Sequence, residues 1–442
     1  MSAMLAGSRR AEATAVVQAP RGERKRVVII GGGFAGIAAA HALRHADAEI
    51  VLVDRRNHHI FQPLLYQVAT AVLSPAEIAA PIRQLEAKQR NVTVLLAEVT
   101  GVDVASRTIE VASPGGARKI AFDYLVVATG MRPNYFGHDE FARYAPGLKS
   151  LGDAETIRAK ILGAFELAAM TEDEGERARQ MTFVLVGAGA TGVELAGSLA
   201  GLVKVTLRGN FRRIDPSKST IILLDAGNRV LPTFAELLSR RVTRRLTKLG
   251  VKVMTGVKVE TVDDNGVVAG GRRIPSATVV WTAGVAASPI PRMLGTKTDR
   301  AGRALVDPFL KVVEAPGVFV AGDAASIMQN GHPVPGVAQA AIQEGRYVGR
   351  LIASEVKGRE VKRPFHYFDK GNMAVVGKNY AVLERGSLRT GGFLTWLVWA
   401  FVHILSLPQL QNRLRVQRQW LWSYFTGQRS SRLIPETYGP DH

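Results

Sequence analysis

The chain is punctuated by short, uninterrupted aliphatic runs rather than by alternating ones. Val27–Ile30, Ile50–Val53, Phe183–Val186 and Ile221–Leu224 are apolar at every position. Runs of this length, hydrophobic on both faces, are what a strand needs when helices cover both sides of a parallel sheet. Alanine-rich segments, Ile37 to Arg44 and Val193 to Leu199, follow the first and third runs and predict helices that pack close to that sheet. Strand, helix, strand, twice over, predicts an α/β class with two similar halves.

The joints between strand and helix carry the first chemistry. Gly31-Gly32-Gly33-Phe34-Ala35-Gly36 and Gly187-Ala188-Gly189-Ala190-Thr191-Gly192 both read G-x-G-x-x-G. In that pattern the first glycine makes a tight turn and the second lets the backbone approach a pyrophosphate. The third lets the helix pack on the strand, so that phosphates lie at the helix N-terminus. One such motif is weak; two, each in its strand–turn–helix context, make a pair of dinucleotide sites. Each half then supplies an acid at the end of its second strand, Asp54 (followed by Arg55) and Asp225, placed to accept hydrogen bonds from a ribose diol. An ordinary strand-end turn residue would have the same position. The interval before Asp225 is the longer one. It holds Lys204, Arg208, Arg212, Arg213 and Lys218 against Asp215, which predicts a basic loop or extended helix end over Gly201–Ser219.

The repeat continues. Tyr124–Gly130 is echoed by Thr278–Gly284, so each half ends on a strand and a small-residue turn, Thr129-Gly130 and Ala283-Gly284. The distant segment Gly317–Ala325 delivers Asp323 from the end of another apolar strand and completes only the first half. The order predicts two Rossmann-like dinucleotide domains, one inserted in the other. The outer one would hold FAD and the inner one a nicotinamide dinucleotide.

Composition narrows the chemistry. Among 442 residues there is no cysteine. This excludes a disulfide framework, a thiolate-held iron–sulfur cluster and electron transfer through a redox-active cysteine pair. The histidines have no metal-ligand spacing, and no metal site is expected. The first 25 residues are small, polar and basic without an apolar core, which predicts a disordered extension; a mitochondrial presequence is the lesser alternative, against which Glu12 and Glu23 count.

The net charge of +19 points to a polyanionic surface of some kind. Four of the five tryptophans, Trp396, Trp399, Trp420 and Trp422, fall in the tail beside Arg413, Arg415, Arg418, Arg429 and Arg432. The apolar run Phe393–Leu407, at about 1.5 Å per residue, reaches roughly 22 Å and falls short of the roughly 30 Å hydrocarbon core. Residues 393–432 are therefore expected to form amphipathic helices lying on an anionic membrane surface, or else a pair that covers the core or a homodimer interface. Nucleic acid is not expected as a partner, because the basic residues build no recognisable binding module.

Taken with the glycine pair, the stretch Asn57–Gln67, the segment Pro335–Gln343 with its Ala-Gln-x-Ala-x-Gln core, and the tail block Gln419–Tyr424 resemble the type II NADH:quinone oxidoreductases, single-subunit enzymes that do not pump protons. The resemblance runs from about Arg26 to Ile434. It implies non-covalent FAD, NADH as donor and a membrane quinone, ubiquinone or menaquinone, as acceptor. It also implies a peripheral enzyme on the cytoplasmic face of a bacterial inner membrane. The FAD domain would occupy 26–146 and 298–352, the NADH domain 147–297, and a membrane-associating C-terminal region 353–442.

Cofactor contacts would come from Gly31, Gly33, Phe34, Ala35, Gly36, Asp54, Arg55, Thr129, Gly130, Asp323, Ala338 and Gln339 for FAD. For NADH they would come from Gly187, Gly189, Thr191, Gly192, Glu194, Asp225, Ala283 and Gly284. A helix predicted to start at Ala338 would place its N-terminal partial charge at a reduced flavin. Gln339 and Gln343, four apart on one face of it, match the family's quinone-lining glutamines. A solvated helix face would carry the same pair. Glu194 matches a glutamate near nicotinamide and flavin, although an acid early in a helix is commonly only a dipole partner. Lys378 resembles a lysine at the quinone tunnel, where a solvated turn lysine is the plainer reading. Two other functions share much of this sequence: a soluble NAD(P)H-dependent reductase of an iron–sulfur carrier protein, and an NADH-binding redox sensor.

Overall fold

The computed structural model describes residues 24–434. The extension expected over residues 1–25 lies outside them except for Arg24 and Lys25, and Lys25 already belongs to the first strand. The chain divides into two compact units. One comprises the described residues up to Asn57, Ile82–Gly130 and Ala287–Tyr367; the other comprises His58–Pro81, Met131–Ala286 and the described residues from Phe368 on. These bounds differ from those drawn on sequence: His58–Pro81 and the tail pack with the second glycine fingerprint rather than with the first or by themselves.

The first unit is built on a parallel five-stranded sheet in the order Val318–Val320, Tyr124–Val127, Lys25–Ile30, Ala48–Asp54, Val92–Leu96. Val27, Val28 and Ile29 at its centre are completely buried, which is why these positions tolerate no polar residue. The helix Phe34–Ala42 crosses the sheet and packs on the long helix Ala338–Glu355. Two glycines set that distance. A Cβ at Gly345 would lie 2.1 Å from the Ala35 carbonyl oxygen, and one at Gly349 would lie 2.6 Å from that of Ala39. The long helix can therefore run against the fingerprint helix, and its N-terminus is delivered to the same end of the unit.

The second unit repeats the plan with four parallel strands, in the order Val251–Thr255, Thr220–Asp225, Thr182–Val186, Thr278–Trp281. Val184, Val186, Ile222, Leu224, Val279 and Trp281 pack into its core. The basic interval resolves as a helix end: Ala190–Gly201 continues into a π-helical turn, Leu202–Thr206, before the chain loops back to its strand. An antiparallel sheet of Asn372–Val375, Ala381–Arg385 and Leu388–Gly392 leads into the helices Phe393–Ser406 and Leu410–Thr426. Among the described residues no helix is long and apolar enough to cross a membrane.

Candidate functional site

In the first unit the glycine turn follows the geometry that its sequence demands. Gly31 has φ +105°, in the region that favours glycine, and a Cβ at Gly36 would fall 1.8 Å from the Gly31 carbonyl oxygen. Gly33 ends the turn and Phe34 and Ala35 begin the helix. The Asp54 carboxylate closes the turn from the next strand, accepting from Gly32 N–H at 2.6 Å and from Arg56 N–H at 2.7 Å. Arg55 points to the surface, 3.7 Å from Glu98.

At the neighbouring strand end Gly130 has φ +64° and Thr129 accepts a hydrogen bond from Ser288 Oγ at 2.7 Å. Asp323 stands in the turn Gly322–Ala324, and a Cβ at Gly336 would lie 3.5 Å from its carboxylate. The helix expected at Ala338 starts there, with Val337 as its cap. Gln339 and Gln343 share one half-buried face, and Gln343 Nε2 donates to the Gln339 carbonyl at 3.1 Å.

Glu344, next to Gln343, escaped the sequence reading. It is 3% exposed and accepts from Gly322 N–H at 2.6 Å, so it fixes the turn that carries Asp323. Burial pushes its carboxyl up to about 8, the Gly322 bond opposing. The signal available was its register: Glu344 falls on the face that Gly345 and Gly349 bury, where an acid needs a specific partner.

The second unit reproduces the turn. Gly187 has φ +106°, and a Cβ there would lie 2.5 Å from Ala283 N, which brings the Ala283-Gly284 turn against the fingerprint. A Cβ at Gly192 would lie 1.9 Å from the Gly187 carbonyl. Asp225 accepts from Ala188 N–H at 2.5 Å and from Gly227 N–H at 2.7 Å, the same double clasp as Asp54. Gly189 caps the helix, with Thr191 exposed in its first turn.

Glu194 lies further along that helix. Although the residue keeps some exposed surface, its carboxyl is shut away, and burial pushes it up to about 8 against one long bond, 3.4 Å, from Val375 N–H. Lys378 is exposed in the turn after Val375, but its amine is tied to the tail. It donates to the Tyr424 carbonyl at 2.6 Å and sits 4.0 Å from the centre of the Tyr424 ring.

The tail needs correcting at particular residues. The sequence leaves open a membrane-surface pair and a pair that covers the core, and several residues take the second role: Trp399 is 3% exposed and stacks on Trp420 at 5.2 Å, and Trp420 Nε1 donates to Gln67 at 2.7 Å. Arg429 is buried, donates to the carbonyls of Thr70 at 2.7 Å and Ser198 at 2.9 Å, and is pulled down to about 9 by burial. Asn412 Nδ2 is shared among the carbonyls of Ala76, Glu77 and Ala79. These residues bolt the helices onto the His58–Pro81 segment. What they leave outward is aliphatic and aromatic: Leu394, Leu397, Phe401, Leu405, Trp422 and Phe425 are all exposed, Leu394 by 76% and Phe425 by 80%.

The chain was compared with known proteins. Residues 25–345 match the family model described as pyridine nucleotide-disulphide oxidoreductase. The chain is 44% identical over 426 residues to the type II NADH:quinone oxidoreductase NdhA of Mycobacterium tuberculosis, covering 93% of this chain and 90% of that one. It is likewise 44% identical over 430 residues to Ndh of the same organism, covering 95% and 92%. Among solved structures, NDH2 from Plasmodium falciparum in complex with NADH aligns with a TM-score of 0.82 at 20% identity, covering 93% of this chain and 100% of that one, a likeness of fold.

Proposed function

The chain belongs to the pyridine nucleotide-disulphide oxidoreductase family and, within it, to the type II NADH:quinone oxidoreductases, and we propose that it oxidises NADH through bound FAD and reduces a membrane quinone without pumping protons. The observation that carries the reading is the duplicated site. Each unit presents a glycine turn at the carboxyl end of a parallel sheet, clasped by a strand-end carboxylate. With no cysteine in the chain, electrons have no thiol relay to use.

The first unit fits FAD. Gly31 and Gly36 hold the turn tight against backbone, the Cβ position of Gly33 faces open space where a pyrophosphate would approach, Asp54 would accept from a ribose diol, and Asp323 lies beside Gly336. FAD supplies two-electron chemistry, accepting hydride from NADH and passing electrons to quinone. Asp323, held by the Gly322–Glu344 bond, would orient it. The N-terminus of the Ala338 helix brings partial positive charge to that end of the unit, which favours an anionic reduced cofactor. Gln339 and Gln343 offer neutral amides to a quinone carbonyl.

The second unit would take NADH on Gly187–Gly192, with Asp225 accepting from free ribose hydroxyls and repelling a 2′-phosphate. Reduction of a quinone to a quinol takes up two protons, one from NADH and one from solvent. Glu194, whose carboxyl holds its proton near neutrality, could store the second. The outward apolar face of the tail helices would rest on a membrane, at the cytoplasmic side of a bacterial inner membrane, with Arg415 and Arg418 available to anionic headgroups.

Detergent-purified protein assayed for NADH oxidation with a short-chain quinone, beside NADPH and an iron–sulfur carrier protein, tests the reading. Rapid quinone-dependent turnover supports it. Turnover only with the carrier protein would make the chain a soluble reductase, and slow turnover with every acceptor would make it a sensor.

A further inference from the structure

One aromatic residue in the second unit is held where packing alone would not put it. Phe136 has φ +56°, a backbone conformation that bulky side chains rarely adopt, and it is 63% exposed. Its ring tip touches Gly284: a Cβ there would fall 2.3 Å from Cζ and 2.7 Å from Cε2. Hydrogen bonds fix the arrangement. Phe136 N–H donates to Asn134 Oδ1 at 2.9 Å, Asn134 N–H donates to the Gly284 carbonyl at 3.4 Å, and the buried Trp281 donates from Nε1 to the Asn134 carbonyl at 2.9 Å. The core of the unit thus presents a ring to solvent in a strained turn. Strain of this kind, over-determined by its surroundings, gathers at ligand sites.

Its position says which ligand. In the sheet order, Asp225 ends the strand on one side of the fingerprint strand, and Ala283-Gly284 follows the strand on the other. A dinucleotide that places its adenine-side ribose at Asp225 and its pyrophosphate on Gly187–Gly192 must run its nicotinamide half past Gly284. We infer that Phe136 is a further NADH-binding residue, its exposed ring packing against the nicotinamide ring while Gly284, lacking a Cβ, leaves room for the ring tip. The inference rests on the second unit being the NADH site. It adds a residue outside both glycine motifs, one that selects for the nicotinamide ring and not for the ADP-ribose part of the ligand.

Two ligands separate those parts, since ADP-ribose keeps both riboses and the pyrophosphate and lacks only the nicotinamide ring. Holoenzyme with Phe136→Ala, Phe136→Leu and Phe136→Tyr, matched for flavin content, is titrated anaerobically with NADH while flavin bleaching is followed, and ADP-ribose is measured as a competitor. Phe136→Ala should raise the NADH Kd about tenfold, Phe136→Leu less, and Phe136→Tyr should stay within about twofold of wild type. The Ki of ADP-ribose, which has no nicotinamide, should stay within about twofold throughout. An unchanged NADH Kd in Phe136→Ala overturns the inference. So does an equal loss for NADH and ADP-ribose, which would make the residue a prop for the whole unit. Wild-type protein whose flavin NADH does not bleach would instead remove the proposed function itself.

Discussion

Replacing Glu344 by glutamine should make the protein more stable in alkali while leaving FAD in place. The side chain is 3% exposed and holds Gly322 N–H at 2.6 Å, a bond that the Gln carbonyl oxygen can also accept. Burial lifts its carboxyl from 4.5 to about 8. A carboxyl whose folded pKa is raised costs stability once pH exceeds the unfolded value, and the cost stops growing above the folded one. At 1.36 kcal/mol per unit the ceiling is about 5 kcal/mol, and the share that develops between about pH 6 and about pH 8.5 is about 2–3 kcal/mol. Glu194 carries a similar shift and His41, raised by its bond to Glu86, titrates in the same range, so Glu344→Gln removes only part of the wild-type slope. The assay is guanidinium unfolding of the holoprotein at both pH values, followed by circular dichroism and flavin release. Equal pH slopes in wild type and variant would show that Glu344 is not held protonated. A variant that loses FAD at both values would show that a neutral acceptor cannot hold the Asp323 turn.

Three further changes probe the other parts. Asp225→Asn should narrow the preference for NADH over NADPH by about tenfold or more in kcat/KM, because it removes the carboxylate that repels a 2′-phosphate while keeping an acceptor for Ala188 N–H; an unchanged ratio would take Asp225 out of the ribose site. Leu394→Asp with Phe401→Asp, at positions 76% and 64% exposed, should weaken co-sedimentation with anionic vesicles by about 2–4 kcal/mol without changing flavin content, and equal pelleting would put the membrane surface elsewhere. Gln339→Leu should slow flavin reoxidation by quinone while bleaching by NADH stays near wild type; the reverse pattern would move Gln339 to the nicotinamide side.

The turns were legible because glycine has no substitute there: positive φ at Gly31 and Gly187, and the contacts of Gly36 and Gly192 with backbone oxygens, leave only one residue type. The four aliphatic runs were legible for the same kind of reason, since a strand buried on both faces cannot carry polar residues. The tail was not. Arg429 stood among the arginines of an expected membrane-surface pair and Asn412 belonged to no motif, and what makes both interior is carbonyl groups more than 230 positions away in sequence. For that reason point substitutions on the outer face, rather than truncation at Gly391, test the membrane surface: removal of the tail would strand the carbonyls of Thr70, Ser198 and Ala76. Glu344 and Phe136 were missed because neither belongs to a motif. One is defined by which helix face is buried, the other by a backbone angle.

Anaerobic stopped-flow absorbance on the wild-type holoenzyme, mixed first with NADH and then with a short-chain quinone, reads both half-reactions on the same flavin. The flavin band should bleach with NADH at a rate that saturates, much less readily with NADPH, and return on addition of quinone at a rate sufficient for turnover. Bleaching that quinone fails to reverse, or no bleaching by NADH in flavin-replete protein, would contradict the proposed function.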